Sequence, residues 1–419
     1  MQKEISRRQF LQGCSLSIAA MSGARLTHLS FNSSKGRRQA AAQPAGTLVL
    51  VFLRGGWDAL SVVTPLEGED RKVYEAARPG IRIPARSLLR LDDRFGMHPA
   101  LEPLVDLYRD GQAAWVHAVG LNVDTRSHFD AQEFIDLGTP GVKSTPSGWL
   151  TRHLRSMDAG GGQVPVIASP AASSALLDTA SAVSLNELPD LDLWDGGFRA
   201  EQQAALRGMY AGSAQVAALR QGGLRTLEVL DAVAPYLEGY EPAAGVDYGD
   251  GEFGMRMRTV AQMVKMDVGL QVATVDFGGW DTHEYQNDGP GGYLTGLLGE
   301  LGRGLSGFYN DMAAGGYTRD LSVVVISEFG RRLAQNDSQG TDHGHGSLML
   351  ALGSGLNGGQ VYGSWPGLAQ EQLYDRADLA VTTDFRQVLS ELLLHRLNDP
   401  HIEEVFPGFE MGEGLGVFG

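Results

Sequence analysis

The chain has 419 residues, 43% of them hydrophobic, and a formal net charge of -16. Its size and composition are those of an ordinary globular protein with one large domain or two. So acidic a chain is a poor partner for nucleic acid or an anionic membrane surface, and its only cysteine, Cys14, lies in the basic N-terminal segment. The body therefore has no disulfide or thiolate ligand, and any metal there must sit on oxygen and nitrogen.

The first 42 residues carry Lys3, Arg7, Arg8, Arg25, Lys35, Arg37 and Arg38 against one acid, Glu4. Arg7-Arg8 is followed by Gln9, Phe10, Leu11 and a short, weakly apolar stretch. This is the pattern of a twin-arginine export signal, because a bilayer span needs roughly 20 apolar residues. Residues 1–42 are expected to engage the twin-arginine export machinery and to be cleaved near Ala40 to Ala42, or near Ala20 to Ala24. A periplasmic or secreted protein without a transmembrane span follows.

Residues 47–53, TLVLVFL, form a continuous apolar run ending at Arg54-Gly55-Gly56, as a strand buried on both faces does. HPALEPLVDLYRDG (98–111) has helical period, and AAWVHAVG (113–120) repeats the buried-strand pattern. A helix is expected to begin at Ser127. From about 151 to 260 the strand signal thins to VPVIAS (164–169). The alanine-rich 191–237 predicts a largely helical insertion or cap, and 238–254 a loop returning to the core. LQVATVDFGGW (270–280) and LSVVVISEFG (321–330) are again buried strands, with a helix over 295–316 between them and a late helix near 390–398. Strand and helix alternate, so the fold class is α/β, a doubly wound, mostly parallel sheet with helices on both faces. Ligands of such sheets bind beyond the carboxyl ends of the strands.

Chemistry-bearing residues fall at those ends. Asp58 follows the first strand, Asp281 and His283 follow 270–280, Glu328 closes LSVVVIS, and Asp342, His343 and His345 lie in the loop beyond. Carboxylates and imidazoles without thiolates suit one or two divalent ions, with Zn²⁺, Mn²⁺, Mg²⁺ and Ca²⁺ as candidates. Asp58 also fits a turn or helix cap, and so does the Asp-Thr-His of 281–283. Ser127, at a helix start where free N–H groups favour an alkoxide or a bound anion, is the candidate nucleophile and equally a favoured cap. Ser61 is a weaker alternative. Arg126 and Arg331 are candidate anion-binding residues. A metallopeptidase is disfavoured, because no His-Glu-x-x-His helix is present.

LVLVFLRGGWDALSVVTP, RSHFDAQEF, GGWDTH, SEFGR and GTDHGHG, in this order after a twin-arginine signal, resemble the DUF1501 family of exported bacterial proteins, placed in the alkaline phosphatase-like superfamily with sulfatases. The resemblance implies a doubly wound core over 43–419 with the insertion at about 151–260. It also implies a metal centre with Ser127 as nucleophile and Asp58, Asp281, His283, Glu328, His343 and His345 as ligands. Glu328-Phe329 stands where that superfamily has an Asp-His pair, so one expected imidazole is missing. The implied function is metal-dependent hydrolysis of a phosphate or sulfate ester, of a small molecule or glycan. A non-catalytic metal- or anion-binding protein of the cell envelope is the alternative.

Overall fold

The computed structural model of the protein describes residues 46–157, 166–167, 173–178, 183–184, 198–211, 223–224, 227, 231, 234, 240–266, 269–286 and 292–419. The expected signal and much of 191–237 lie outside the described residues. Among those described, no helix is long and apolar enough to cross a membrane.

The strands are β1 (Thr47–Leu53), β2 (Val63–Pro65), β3 (Leu89–Arg90), β4 (Phe95–Met97), β5 (Ala113–Gly120), β6 (Val166–Ile167), β7 (Val183–Ser184), β8 (Val272–Phe277), β9 (Leu321–Ser327), β10 (Ser347–Gly353), β11 (Val361–Tyr362) and β12 (Thr383–Asp384). The helices that matter here are α1 (Gly68–Ala77), α2 (His128–Leu137), α3 (Trp149–Ser156), α4 (Arg199–Ala211), α5 (Glu252–Lys265), α6 (Tyr293–Ala314) and α7 (Phe385–His395). The main sheet runs β11-β5-β10-β9-β1-β8-β6-β7, with β12 beside β5, while β2, β4 and β3 form a small separate sheet. Central β1 pairs in parallel with β8 and β9. Among the described residues of the main sheet, only β10 runs against its neighbours, β9 and β5.

This architecture follows from the apolar runs. Along β1, Val49, Val51 and Leu53 enter one core with residues of α5 and α6, and Leu48, Leu50 and Phe52 enter the other with residues of α2, α3 and α7. A strand covered on both faces has no solvated side, so its sequence cannot alternate. The mixed α/β sheet is as expected, with two differences. The antiparallel β10 was not anticipated, because its apolar residues follow directly on a glycine-rich loop. Within 151–260, β6 falls in the strand signal VPVIAS and, with β7, extends the main sheet, and α5 supplies Phe253, Met257 and Val260 to the core. The expected helix over 98–111 is split into a 3-10 turn at Pro99–Leu104 and a short α-helix at Val105–Arg109, as Pro103 removes a donor.

Two histidines are locked neutral by this packing. His117 Nδ1 accepts the Ala118 N–H at 3.0 Å, so its Nε2–H donates to the Val63 carbonyl at 2.9 Å. His98 Nδ1 accepts the Ala100 N–H at 3.1 Å. Burial pushes both down to about 4 from an ordinary 6.5. Because the folded values lie below the unfolded ones, stability is fully present above about pH 6.5 and declines as pH falls toward 4. The urea midpoint is therefore expected to fall between pH 7 and pH 4.5, and to fall less in His117→Gln. An equal fall in both proteins would contradict this.

Candidate metal centre

Parallel pairing brings the carboxyl ends of β1, β5, β8 and β9 to one edge of the sheet, and the reversed β10 starts there. Three loops meet at this edge: the one into α2, the one after β8, and the long connection from β9 to β10. Close approach demands glycine at two points. Gly55 has φ 128°, and a Cβ on it would stand 2.4 Å from the Asp281 nitrogen, while one on Gly344 would stand 2.4 Å from the Arg331 carbonyl carbon.

His128, Asp281 and His343 offer ligand atoms that all lie within 4.8 Å of one another. Nε2 of His343 is 2.9 Å from Nε2 of His128, 2.9 Å from Nε2 of His283 and 3.1 Å from Oδ1 of Asp281. The other nitrogen of each ring identifies its tautomer. His128 Nδ1 lies 2.7 Å from Glu328 Oε1, His283 Nδ1 lies 3.2 Å from Asp342 Oδ1, and His343 Nδ1 lies 2.9 Å from the Arg126 carbonyl oxygen. Carboxylates and carbonyls only accept, so all three Nδ1 atoms carry protons that they donate. Nε2 of His128 and Nε2 of His283 then each face Nε2 of His343, beside the Asp281 carboxylate oxygen. One proton cannot satisfy this arrangement, because His343 Nε2 has a single lone pair and three close neighbours. A metal ion does, and rings held by an outer N–H on a carboxylate or carbonyl are the usual second layer of such a site.

Burial works to raise Glu328, but the bonds from His128, Gln132 and the Gly55 N–H outweigh it and hold the carboxyl low. The Glu328 bond raises His128, whereas burial lowers His343. Asp281 is held low against its desolvation by Arg331, and Asp342 chiefly by Asn336. The cluster is open to solvent on one side, with Asp281 46% and His283 39% exposed at the side chain.

Of the residues singled out in the sequence, Asp281, His283 and His343 meet at the centre. Glu328 and Asp342 touch the imidazoles at their outer nitrogens instead. Asp58, expected as a ligand, is fully buried in a bidentate pair with Arg78. The Gln286 amide also donates to it, and Gln286 Oε1 accepts from Thr282 and Thr341 at 2.9 and 2.7 Å. Arg78 reaches on to the carbonyls of Arg332 and Leu333. Asp58 thus anchors both ligand loops from below. His345, another expected ligand, stacks on Tyr374 with ring centroids 4.1 Å apart. Neither expected anion-binding arginine is free. Arg126 is paired with Asp375 and Asp378, and buried Arg331 donates to Asp281 and to the carbonyls of Gly55, Gly56, Trp280 and Thr341. Ser127 caps α2, its Oγ accepting the Asp130 N–H at 3.4 Å, and both its sequence neighbours touch the cluster. His128 escaped the sequence reading, although its ring lies against Phe329 with centroids 4.9 Å apart. Its signal is position: with Gln132 and Asp136 it recurs every four residues, one face of α2 turned to the sheet edge.

An α/β protein with a His-Asp centre at the carboxyl edge of its sheet is the class these observations define. The chain belongs to the DUF1501 family, described as proteins of unknown function, whose model matches residues 45–395. None of the curated proteins matches it. Among solved structures, the C-terminal periplasmic domain of EcEptC from Escherichia coli in complex with Zn is similar at 9% identity and a TM-score of 0.34, over 76% of this chain and 75% of that one. Another structure of the same domain gives 10% identity and a TM-score of 0.38 over 90% of each chain. Likeness this loose carries no argument about activity.

The two roles separate experimentally. Asp58→Ala leaves Arg78 buried without its partner and is expected to cost roughly 3–5 kcal/mol in urea unfolding of metal-free protein. His283→Ala, at a half-exposed ring, is expected to change that stability by less than about 1 kcal/mol. A reversed order would return Asp58 to the ligand set.

Proposed function

We propose that this protein is an exported, metal-dependent hydrolase of phosphate or sulfate esters, of the alkaline phosphatase-like type, with its ion held by His128, His283, His343 and Asp281. The observation that carries the reading is the set of three Nε2 atoms, of His128, His283 and His343, lying 3.4, 3.0 and 3.1 Å from Asp281 Oδ1. An imidazole-rich set with one carboxylate favours Zn²⁺ or Mn²⁺ over Mg²⁺ and Ca²⁺. Bound there, the cation would supply Lewis acidity and lower the pKa of the attacking group. Glu328, Asp342 and the Arg126 carbonyl orient the rings, and Arg331 fixes the Asp281 carboxylate. Ser127, between two residues of the cluster and held by one long bond, is the nucleophile we assign. The Arg7-Arg8 pattern of the N-terminal segment supports a periplasmic or external location.

Two exposed aromatics flank the ligands, Phe129 beside His128 and Tyr285 near His283, 87% and 61% accessible. Tyr285 has φ 46°, unusual for a bulky residue, and the buried amide of Gln286 beside it is tied down to Asp58. Exposed rings here suit the organic part of a small-molecule or glycan ester. One observation favours the non-catalytic metal-binding alternative: Arg126 and Arg331 are already engaged, so neither is free to neutralise an oxyanion.

The test is a panel of phosphate and sulfate esters assayed with Zn²⁺, Mn²⁺, Mg²⁺ and Ca²⁺. Wild type is expected to hydrolyse at least one ester, Asp281→Ala and His343→Ala to lose bound metal and activity together, and Ser127→Ala to keep the metal while losing at least about a hundredfold in kcat. Phe129→Ala and Tyr285→Ala are expected to raise KM more than they lower kcat. Metal binding without turnover of any ester would leave the binding reading standing and end the hydrolase one.

A further inference from the structure

Behind the imidazoles lie two further acids, Asp136 and Asp276, that do not touch the rings. Arg54 leaves the end of β1 with its guanidinium 3.7 Å above the Phe52 ring. Its Nε donates to Asp276 Oδ1 at 3.0 Å, and both terminal nitrogens donate to Asp136 Oδ2 at 3.4 Å. Glu328, the carboxylate that orients His128, is near enough to act electrostatically on both Arg54 and Asp136. Asp136 is 4% exposed, and its Oδ1 has no hydrogen-bond partner. Burial pushes Asp136 up to about 6 even with the guanidinium beside it. Two carboxylates, from α2 and β8, thus hold Arg54, with Glu328 at the end of β9 acting on it electrostatically, next to a site that itself calls for a cation.

We propose that Arg54 is the centre's built-in second cation. Its guanidinium takes the place of a second divalent ion between Asp136 and Asp276, so the chain binds one ion, on the imidazoles and Asp281, and not two. The inference rests on the metal reading above and gives it a stoichiometry. Guanidinium stays charged throughout the working pH range and needs no coordination geometry. It therefore balances the buried acids permanently, whereas an ion would come and go with supply. The long 3.4 Å contacts and the free Asp136 oxygen are what a planar fork leaves when it fills a pocket of carboxylates that a compact ion would draw inward.

The test is the number of ions bound per chain, measured by equilibrium dialysis against Mn²⁺, which takes both imidazole and carboxylate ligands, followed by elemental analysis. Wild type is expected to hold one ion. Asp136→Asn, with Arg54 in place, is expected to hold one as well, and Arg54→Gln to hold two. Two ions in wild type, loss of an ion in Asp136→Asn, or a single ion in a folded Arg54→Gln would each overturn the proposal. If Arg54→Gln does not fold, the first two proteins still decide. No ion in wild type would overturn the metal reading and this inference with it, whereas two ions would overturn this inference alone.

Discussion

Imidazole lone pairs held within about 3 Å of one another repel unless a cation stands between them. The edge of this sheet depends on that constraint. Each ring is fixed from outside by an acceptor that cannot donate: Glu328 for His128, Asp342 for His283 and the Arg126 carbonyl for His343. The outer bonds leave the inner nitrogens no alternative tautomer. Carboxylates and a carbonyl from different loops therefore act together on one small volume, although their side chains never meet in it.

Holding such an arrangement open requires a rigid floor, and buried charge provides it. The Asp58–Arg78 pair, with Gln286, Thr282 and Thr341, ties α1 and β1 to the loops that carry Asp281, His283 and His343. Arg331 staples those loops from the other side through backbone carbonyls. Neither arginine offers a positive charge to solvent. Both satisfy carbonyls that tight, glycine-rich turns cannot pair among themselves. The strained backbone at Tyr285 is a local consequence, since its neighbour Gln286 is drawn into this network.

Much of the sheet was legible in the sequence, because strands covered on both faces leave unbroken apolar runs, as β1, β5, β8 and β9 do. The site was legible to the extent that parallel strands deliver their ends to one edge, which brought Asp281, His283, Glu328, Asp342 and His343 into view. Partners were not legible. Nothing in the residue types told Asp58, tied to an arginine 20 positions away, from Asp281, which faces the centre. Nor did GTDHGHG reveal that His343 points inward while His345 stacks on Tyr374. His128 sat beside a serine that drew attention as a helix cap, and only the turn of α2 shows which way its ring faces. Nothing beside Arg54 in the sequence marks Asp136 and Asp276, the two acids that the fold brings to it.

The central claim is that the three inner imidazole nitrogens and Asp281 hold one ion. Anomalous diffraction at the zinc absorption edge, from crystals of the protein supplied with Zn²⁺, tests it most directly. The account predicts a single strong peak about 2.0–2.2 Å from Nε2 of His128, His283 and His343 and from Oδ1 of Asp281. A peak elsewhere, or an unfilled cluster with those rings turned apart, would contradict it.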